Sequence, residues 1–108
     1  MPKSILQSEE RKCFFTGSRA VEKHHVMNGS AYRWKAEKYG LWIYISKPTH
    51  DWIHNKPGGR KFAYHLKAYA QHEFEKHHPH ELWMKEFKKD YSEYFYEDIS
   101  YLYRHWRE

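Results

Sequence analysis

Four histidines, arranged as two pairs, are the side chains of this sequence that are best suited to chemistry. His24 and His25 are adjacent, whereas His50 and His54 are four residues apart. Successive side chains on a strand point to opposite faces, so we expect only one of the first pair to bind a given ion. Residues four apart on a helix share a face, so the second pair can reach the same ion. Three imidazoles around a cation, with a fourth imidazole free beside it, form a hydrolytic arrangement, because the cation keeps open positions for a phosphate and a water.

The first pair lies at the end of a predicted hairpin. The run Cys13-Phe14-Phe15 is strand-like and is followed by the turn residues Thr16-Gly17-Ser18. A second short strand is predicted over residues 21–26. We therefore expect these two strands to pair and to deliver His24 and His25 to the exit of the hairpin.

The second pair lies on a predicted short helix. A buried strand is predicted over residues 41–45, and the Ser46 and Pro48 that follow are typical of a helix cap and a first helical turn. The run Lys56-Pro57-Gly58-Gly59 should end that helix within about two turns of its start. The order from His24 onward is therefore strand, loop, strand and short helix.

The C-terminal half has a helical pattern. Apolar residues recur at helical spacing from Phe62 until Pro79 interrupts them, and further helices are predicted over residues 81–89 and 94–106. At 108 residues the chain has the length of one domain. We expect an α+β fold, in which a small β-hairpin module is followed by a helical half over residues 62–108 that supports it.

Positive charge is concentrated in the half of the chain that contains the paired histidines. Residues 1–61 include twelve Lys or Arg and five Asp or Glu, whereas residues 62–108 include seven and nine. A basic surface beside a cluster of imidazoles favours a partner that carries phosphate. The charge pattern therefore favours a phosphate-bearing partner over an acidic protein; a basic surface that is merely solvated is the alternative.

A basic, aromatic loop between the two pairs, residues 27–39, has two interpretations. It is either a surface loop held by its rings or a clamp that contacts a phosphate backbone. The second interpretation assigns nucleic-acid binding to the basic residues of the loop and to two that follow the short helix. These residues are Arg33, Lys35, Lys38, Arg60 and Lys61.

The cysteine count and the hydropathy pattern indicate the cellular compartment. A single cysteine, Cys13, excludes an intrachain disulfide and an all-cysteine zinc site. The first ten residues contain no apolar signal region, and no apolar run has the length of a membrane span. We therefore expect a soluble protein of a reducing cytoplasm that has no membrane partner.

The six remaining histidines form no recognisable ligand pattern. They are interpreted as exposed polar residues near helix ends rather than as a second metal site. These residues are His65, His72, His77, His78, His80 and His105.

Together, these segments resemble the HNH, or His-Me finger, nuclease module. The resemblance is closest to small HNH-like proteins of phages and prophages. It is carried by four segments, which are Cys13-Phe-Phe-Thr-Gly, Glu22-Lys-His-His-Val, Ala36-Glu-Lys-Tyr-Gly-Leu-Trp and His50-x-x-x-His54. The resemblance implies a ββα core, here residues 12–57, that holds one metal ion. It also implies that His25 is the general base, that His24 is a metal ligand, and that His50 and His54 are the two ligands on the helix.

The sequence departs from this family at two places. Thr16 and Ser46 stand where relatives often have zinc-binding cysteines, so no structural zinc is expected. The asparagine in the middle of the HNH pattern is absent from its expected position. Asn28 and Asn55 are candidates to replace its orienting role.

The resemblance implies a metal-dependent endonuclease that hydrolyses DNA phosphodiester bonds and is encoded by a phage or a prophage. Its cofactor would be one divalent ion, Mg²⁺, Mn²⁺, Ni²⁺ or Zn²⁺; imidazole ligands bind the last three more tightly than Mg²⁺. No base-reading motif stands out, so we expect weak sequence specificity.

Two other functions are open alternatives. The first is a catalytically silent module of the same fold that binds nucleic acid or protein, and the second is a purely structural role for the histidines or their metal. The Tyr-rich segment of residues 91–106 is a candidate contact for a protein partner or for a second copy of the chain.

Overall fold

The computed structural model describes residues 3–8 and 10–107, and in that part the chain forms two β-strands and five α-helices. The elements run in the order β1 (Val21–His25), α1 (Arg33–Tyr39), β2 (Trp42–Ser46), α2 (Lys47–Asn55), α3 (Pro57–Glu75), α4 (His80–Phe87), a 3₁₀ turn (Ser92–Tyr94) and α5 (Ile99–Arg107). The predicted α+β class, with a hairpin followed by helices, is confirmed. None of the described helices is both long enough and apolar enough to cross a membrane.

The two strands form one antiparallel sheet. Val21 lies opposite Ser46, and His25 lies opposite Trp42. Four of the five residues of β2 are buried, whereas β1 consists mostly of polar residues. β2 therefore anchors the sheet in the core, and β1 carries the side chains that are available for chemistry.

The predicted pairing of residues 13–15 with β1 is wrong. The N–H of Cys13 donates to the carbonyl of Ser18 at 2.7 Å, so the segment closes into a tight turn instead of extending as a strand. The N–H of Phe14 donates to the carbonyl of Tyr44 at 2.8 Å, on the edge of β2 that faces away from β1. The segment therefore covers the free edge of β2, and β2 is the partner of β1.

Residues 33–39, which were expected to belong to a loop, form the helix α1. The helix buries Ala36 and ends at Gly40, which has a φ of 73°. The N–H of Gly40 bonds to the carbonyls of Ala36 and Glu37, and a Cβ at this position would overlap the carbonyl oxygen of Lys3. Glycine is required here because it alone combines a left-handed backbone with so close an approach.

Helix α2 follows β2 directly, as the sequence predicts. The Oγ of Ser46 accepts a hydrogen bond from the N–H of Thr49 at 3.4 Å, and Pro48 lies in the first turn. The next helix, α3, begins at Pro57 and not at the predicted residue 62. Proline is favoured in a first helical turn because its missing N–H needs no partner there, so the Pro-Gly-Gly run starts a helix.

The C-terminal helices agree with prediction except at the start of α5. Helix α4 matches the predicted 81–89 to within two residues at each end, but the helix expected over 94–106 begins only at Ile99. The Oδ1 of Asp98 accepts a hydrogen bond from the N–H of Tyr101 at 3.0 Å, which caps the helix. A 3₁₀ turn, Ser92–Tyr94, comes earlier in the chain, and residues 95–98 are not helical.

The Tyr-rich segment of residues 91–106 contains both buried and exposed aromatic rings. Tyr91 and Tyr103 are buried in the core. Four other rings of the segment are exposed, and these are Phe95, Tyr96, Tyr101 and Trp106. Contact of this exposed part with a protein partner or a second copy stays a prediction.

Tyr103 on α5 connects the helical half to the helix that carries the second histidine pair. Its Oη lies 2.6 Å from the Oγ1 of Thr49 on α2, and its ring stacks on Phe15 with 4.3 Å between centroids. The ring of Trp52 meets it edge-on at 5.5 Å. The helical half therefore fixes the position of α2 against the sheet.

We predict that Gly59→Ala destabilises the protein by about 1–3 kcal/mol, the usual cost of overpacking. Helix α3 approaches α2 so closely that a Cβ on Gly59 would overlap the carbonyl oxygen of Trp52 and lie 2.8 Å from the Cα of Ile53. Gly58→Ala is the matched control, because its Cβ would only contact the Trp52 ring at 3.7 Å. Urea unfolding measures both variants, and equal stabilities would contradict this account of the helix crossing.

Candidate metal centre and active site

Three of the four paired histidines converge on one point. His24 comes from β1, and His50 and His54 come from α2. One ring nitrogen from each lies within 4.8 Å of the others. The ring centroids are 5.6 Å apart for His24 and His50, 5.5 Å for His24 and His54, and 4.4 Å for His50 and His54.

The local geometry of β1 and α2 explains this convergence. Side chains alternate along β1, so His24 faces α2 and is only 5% exposed, while His25 faces the opposite side. Because α2 begins immediately after Ser46, which lies opposite Val21, its histidines lie beside β1 and share one face of the helix. These three histidines are the ones that the sequence suggested as ligands.

The three rings fit a single divalent ion. Zinc binds imidazole nitrogen at about 2.0–2.1 Å, so two ligands of one ion lie at most about 4.2 Å apart. The ring nitrogens lie up to 4.8 Å apart, so a small rotation of the side chains would bring them close enough to share one ion. An all-imidazole set suits Zn²⁺, Ni²⁺ and other first-row ions better than Mg²⁺.

The surroundings of His24 and His54 favour the neutral form of these two rings, which is the form that binds metal. Burial lowers the pKa of His24 to about 3, and the nearby His54 and His50 lower it further in the same direction. Burial and the proximity of His50 also lower the pKa of His54. Metal ligands must be neutral imidazoles, so these shifts favour binding of a cation at neutral pH.

Glu22 orients His50, and the sequence reasoning did not single it out. Its Oε1 lies 2.6 Å from the Nδ1 of His50. A carboxylate bonded to one imidazole nitrogen leaves the other nitrogen directed at the ion, as is common for histidine ligands. Glu22 lies two residues before His24 on β1 and hence on the same face of the strand. This spacing is the sequence feature that could have identified Glu22 as a neighbour of the histidine cluster.

His25 is held by a second carboxylate that the sequence reasoning also missed. Its Nε2 lies 2.6 Å from the Oε2 of Glu37 on α1, and the Nζ of Lys23 lies 2.7 Å from the Oε1 of the same carboxylate. Burial raises the pKa of Glu37, but hydrogen bonds from Lys23 and His25 outweigh it, and the net shift is downward. Glu37 is therefore an anion that accepts the proton on Nε2, which leaves the Nδ1 of His25 as the basic nitrogen.

The two asparagines proposed to orient the base do not contact it. The Nδ2 of Asn55 donates to the Oδ1 of Asp51 at 2.6 Å on the exposed side of α2. Asn28 lines the cleft but makes no hydrogen bond to His25 among the described residues. Glu37 makes the contact with the His25 ring that was expected from an asparagine.

An open cleft of about 480 Å³ exposes both the cluster and His25. Arg33 lines this cleft, as predicted for a phosphate contact, and Arg60 lines an adjoining cavity of about 200 Å³. Residues from the loop after β1 complete the rim, and these are Asn28, Gly29 and Ser30.

Three of the predicted basic residues lie outside the linings of these two cavities. The Nζ of Lys35 donates to the carbonyl of Glu86 at 2.9 Å and so joins α1 to α4. The ammonium of Lys38 lies 5.2 Å from the ring of Tyr39. Lys61 is exposed on α3. The structure therefore brings only Arg33 and Arg60 of the five to the histidine cluster.

Comparison of the chain with protein-family models, with curated proteins and with solved structures finds no match. The features on which a functional proposal can rest are therefore those of the site itself. They are the three convergent imidazoles, the fourth imidazole bonded to a carboxylate, and the basic cleft that joins them.

We predict that the metal-free protein loses stability as the pH falls from about 7 to 5. The pKa of His24 is about 3 in the folded chain, against an ordinary value of 6.5, so the unfolded chain binds more protons within this window. Each pH unit below the ordinary value then costs up to about 1.4 kcal/mol of folding free energy. Urea unfolding in the presence of a chelator measures the slope.

His24→Gln and His77→Gln provide the comparison for this pH dependence. His24→Gln should reduce the slope of unfolding free energy against pH by the contribution of about one proton, because the histidine that takes up this proton on unfolding is gone. His77 is exposed in the turn that follows α3, and its substitution should leave the slope unchanged. The same slope in wild type and His24→Gln would contradict the burial of a neutral imidazole at this position.

Proposed function

We propose that this protein is a metal-dependent endonuclease of the HNH type that hydrolyses DNA phosphodiester bonds. The observation that carries the proposal is the approach of His24, His50 and His54 to within 4.8 Å of one another, in a cleft that His25 also lines. Three neutral nitrogen ligands leave a divalent ion with open positions, and a fourth imidazole beside them is suited to activating water.

His25 is the proposed general base. Because the Nε2–H of His25 donates a hydrogen bond to the carboxylate of Glu37, the lone pair of Nδ1 is free to take a proton from the water that attacks phosphorus. The negative charge of Glu37 then stabilises the imidazolium that forms, and Lys23 keeps the carboxylate in place. Glu37 is thus a positioning residue that acts through His25.

His24, His50 and His54 are the proposed ligands of one divalent ion, which would stabilise the charge on the phosphoryl oxygens and on the leaving 3′ oxygen. Glu22 fixes the ring of His50 for this role. The products of such a reaction carry 5′-phosphate and 3′-hydroxyl ends. The proposed ion is Mg²⁺, Mn²⁺, Ni²⁺ or Zn²⁺.

Arg33 is the proposed contact for the phosphate group in the cleft. It lines the same cavity as His25, and a guanidinium group can bind two phosphate oxygens at once. Contacts to phosphate carry no sequence information, so we propose weak sequence specificity. The proposed setting is the cytoplasm of a bacterial cell that carries the phage or prophage.

We predict that the purified protein nicks or linearises plasmid DNA when Mn²⁺, Ni²⁺ or Mg²⁺ is added. His25→Ala should lower the cleavage rate by about 10²–10⁴-fold, which is the usual contribution of a general base. Glu37→Gln keeps an acceptor for the Nε2 proton and should therefore be more active than Glu37→Ala. His77→Ala, which removes an exposed imidazole outside the cleft, is the control and should cleave at the wild-type rate.

Each competing function has its own outcome in this experiment. Equal cleavage by wild type and His25→Ala would remove the base assignment, provided that circular dichroism shows both proteins to be folded. Binding of DNA without cleavage under any of these ions would favour a catalytically silent module. Unfolding on addition of a chelator would favour a structural metal.

A further inference from the structure

Two lysine ammonium groups, that of Lys67 on α3 and that of Lys89 after α4, lie beside the same two tyrosine rings. The Nζ of Lys67 lies 5.6 Å from the ring centroid of Tyr64 and 5.7 Å from that of Tyr91. The Nζ of Lys89 lies 5.2 Å and 5.3 Å from the same two rings. Two cations therefore share one pair of tyrosine rings, and we call this group the lysine–tyrosine cluster.

Neither cation of the lysine–tyrosine cluster is neutralised by a carboxylate. In the described part of the chain, no ion pair joins Lys67 or Lys89 to an acidic side chain. The nearest acidic residue in sequence, Asp90, instead accepts hydrogen bonds from the side chain of Gln71 at 2.8 Å and the N–H of Ser92 at 2.9 Å. Two like charges held together without a counter-charge are suited to binding an anion.

The lysine–tyrosine cluster is continuous with the proposed metal centre. Arg60, Tyr64 and Lys67 recur at helical spacing on one face of α3, and all three line the cavity of about 200 Å³. His24 and His54 line the same cavity. A chain of phosphates that has one member at the histidine cluster can therefore pass along this cavity to Lys67, which shares the Tyr91 ring with Lys89.

Electrostatics agree with this proximity. Burial, and then the charge of Lys89, lower the pKa of Lys67, which is the expected effect of packing two ammonium groups together. The charge of Lys67 in turn contributes to the lowered pKa values of His24 and His54. An anion bound between the two lysines would relieve this repulsion.

We propose that Lys67 and Lys89 form a second phosphate site, which holds a backbone phosphate of the DNA strand that flanks the cleaved bond. This proposal rests on the nuclease function proposed above and identifies where its substrate extends. Arg60 lines the same cavity as His24, His54 and Lys67 and would contact the intervening backbone. The tyrosine rings provide the walls of the site.

The test is the salt dependence of DNA binding in the presence of a chelator, so that no cleavage occurs. Fluorescence anisotropy with a labelled duplex should give a slope of log affinity against log salt that is smaller by about 0.9 in Lys67→Gln/Lys89→Gln, which is the value for one lost phosphate contact on duplex DNA. Lys76→Gln/Lys85→Gln removes the same charge from exposed positions, one at the C-cap of α3 and one on α4, and should keep the wild-type slope.

Lys89→Gln alone guards against a folding defect, because Lys89 is exposed whereas Lys67 is half-buried. It should also reduce the slope, with an unchanged melting temperature. An unchanged slope in both Lys89→Gln and the Lys67→Gln/Lys89→Gln variant would overturn the phosphate site, as would equal reductions in the Lys76→Gln/Lys85→Gln control.

Cleavage assays separate failure of this site from failure of the nuclease function. With metal added, the KM of the Lys67→Gln/Lys89→Gln variant should be several-fold higher than that of the wild type, and its kcat should change little, because the lysines bind substrate away from the cleaved bond. Wild-type cleavage with an unchanged salt slope would remove the phosphate site and leave the nuclease. A reduced slope without any wild-type cleavage would remove the nuclease and leave the phosphate site.

Discussion

The alternation of side chains along the five residues of β1 is the constraint on which the whole site depends. Glu22 and His24 point toward α2 and belong to the proposed metal centre, whereas Lys23 and His25 point toward Glu37 on α1, where His25 is the proposed base. One strand therefore supplies both halves of the proposed hydrolytic site from adjacent residues. A shift of the β1 register by a single residue would exchange the two sets of side chains.

The rest of the fold keeps β1 in register and keeps α2 beside it. The Oε1 of Gln7 accepts a hydrogen bond from the N–H of Tyr44 at 2.8 Å on the outer edge of β2. Both edges of β2 are therefore hydrogen-bonded, which holds the register between β1 and β2. Thr49 is bonded to Tyr103, which ties α2 to the helical half. The C-terminal helices thus contribute to the site by fixing the direction of α2, while the histidines themselves come from the first half of the chain.

The parts of the site that could be predicted from sequence are those with local periodicity. The spacings of His24 with His25 and of His50 with His54 directly indicate opposite faces of a strand and one face of a helix, and the structure shows both. Glu37 could not be found this way, because its contact with His25 requires α1, which was expected to be a loop.

The same limit explains the remaining differences. Lys35 was expected to contact phosphate, and its bond to the carbonyl of Glu86 depends on how α1 packs against α4. Lys67 and Lys89 meet only because the segment after α4 returns to α3. Contacts between distant elements follow from packing of the whole chain, and single-sequence periodicity carries no information about them.

The most direct test of the central claim is a crystal structure of the protein soaked with Mn²⁺ or Zn²⁺, with the ion located by anomalous scattering. We expect one strong peak about 2.0–2.2 Å from a ring nitrogen of His24, of His50 and of His54. His25 should not be a ligand and should remain bonded to Glu37. An ion bound away from these three rings, or one that takes His25 as a ligand, would contradict the account.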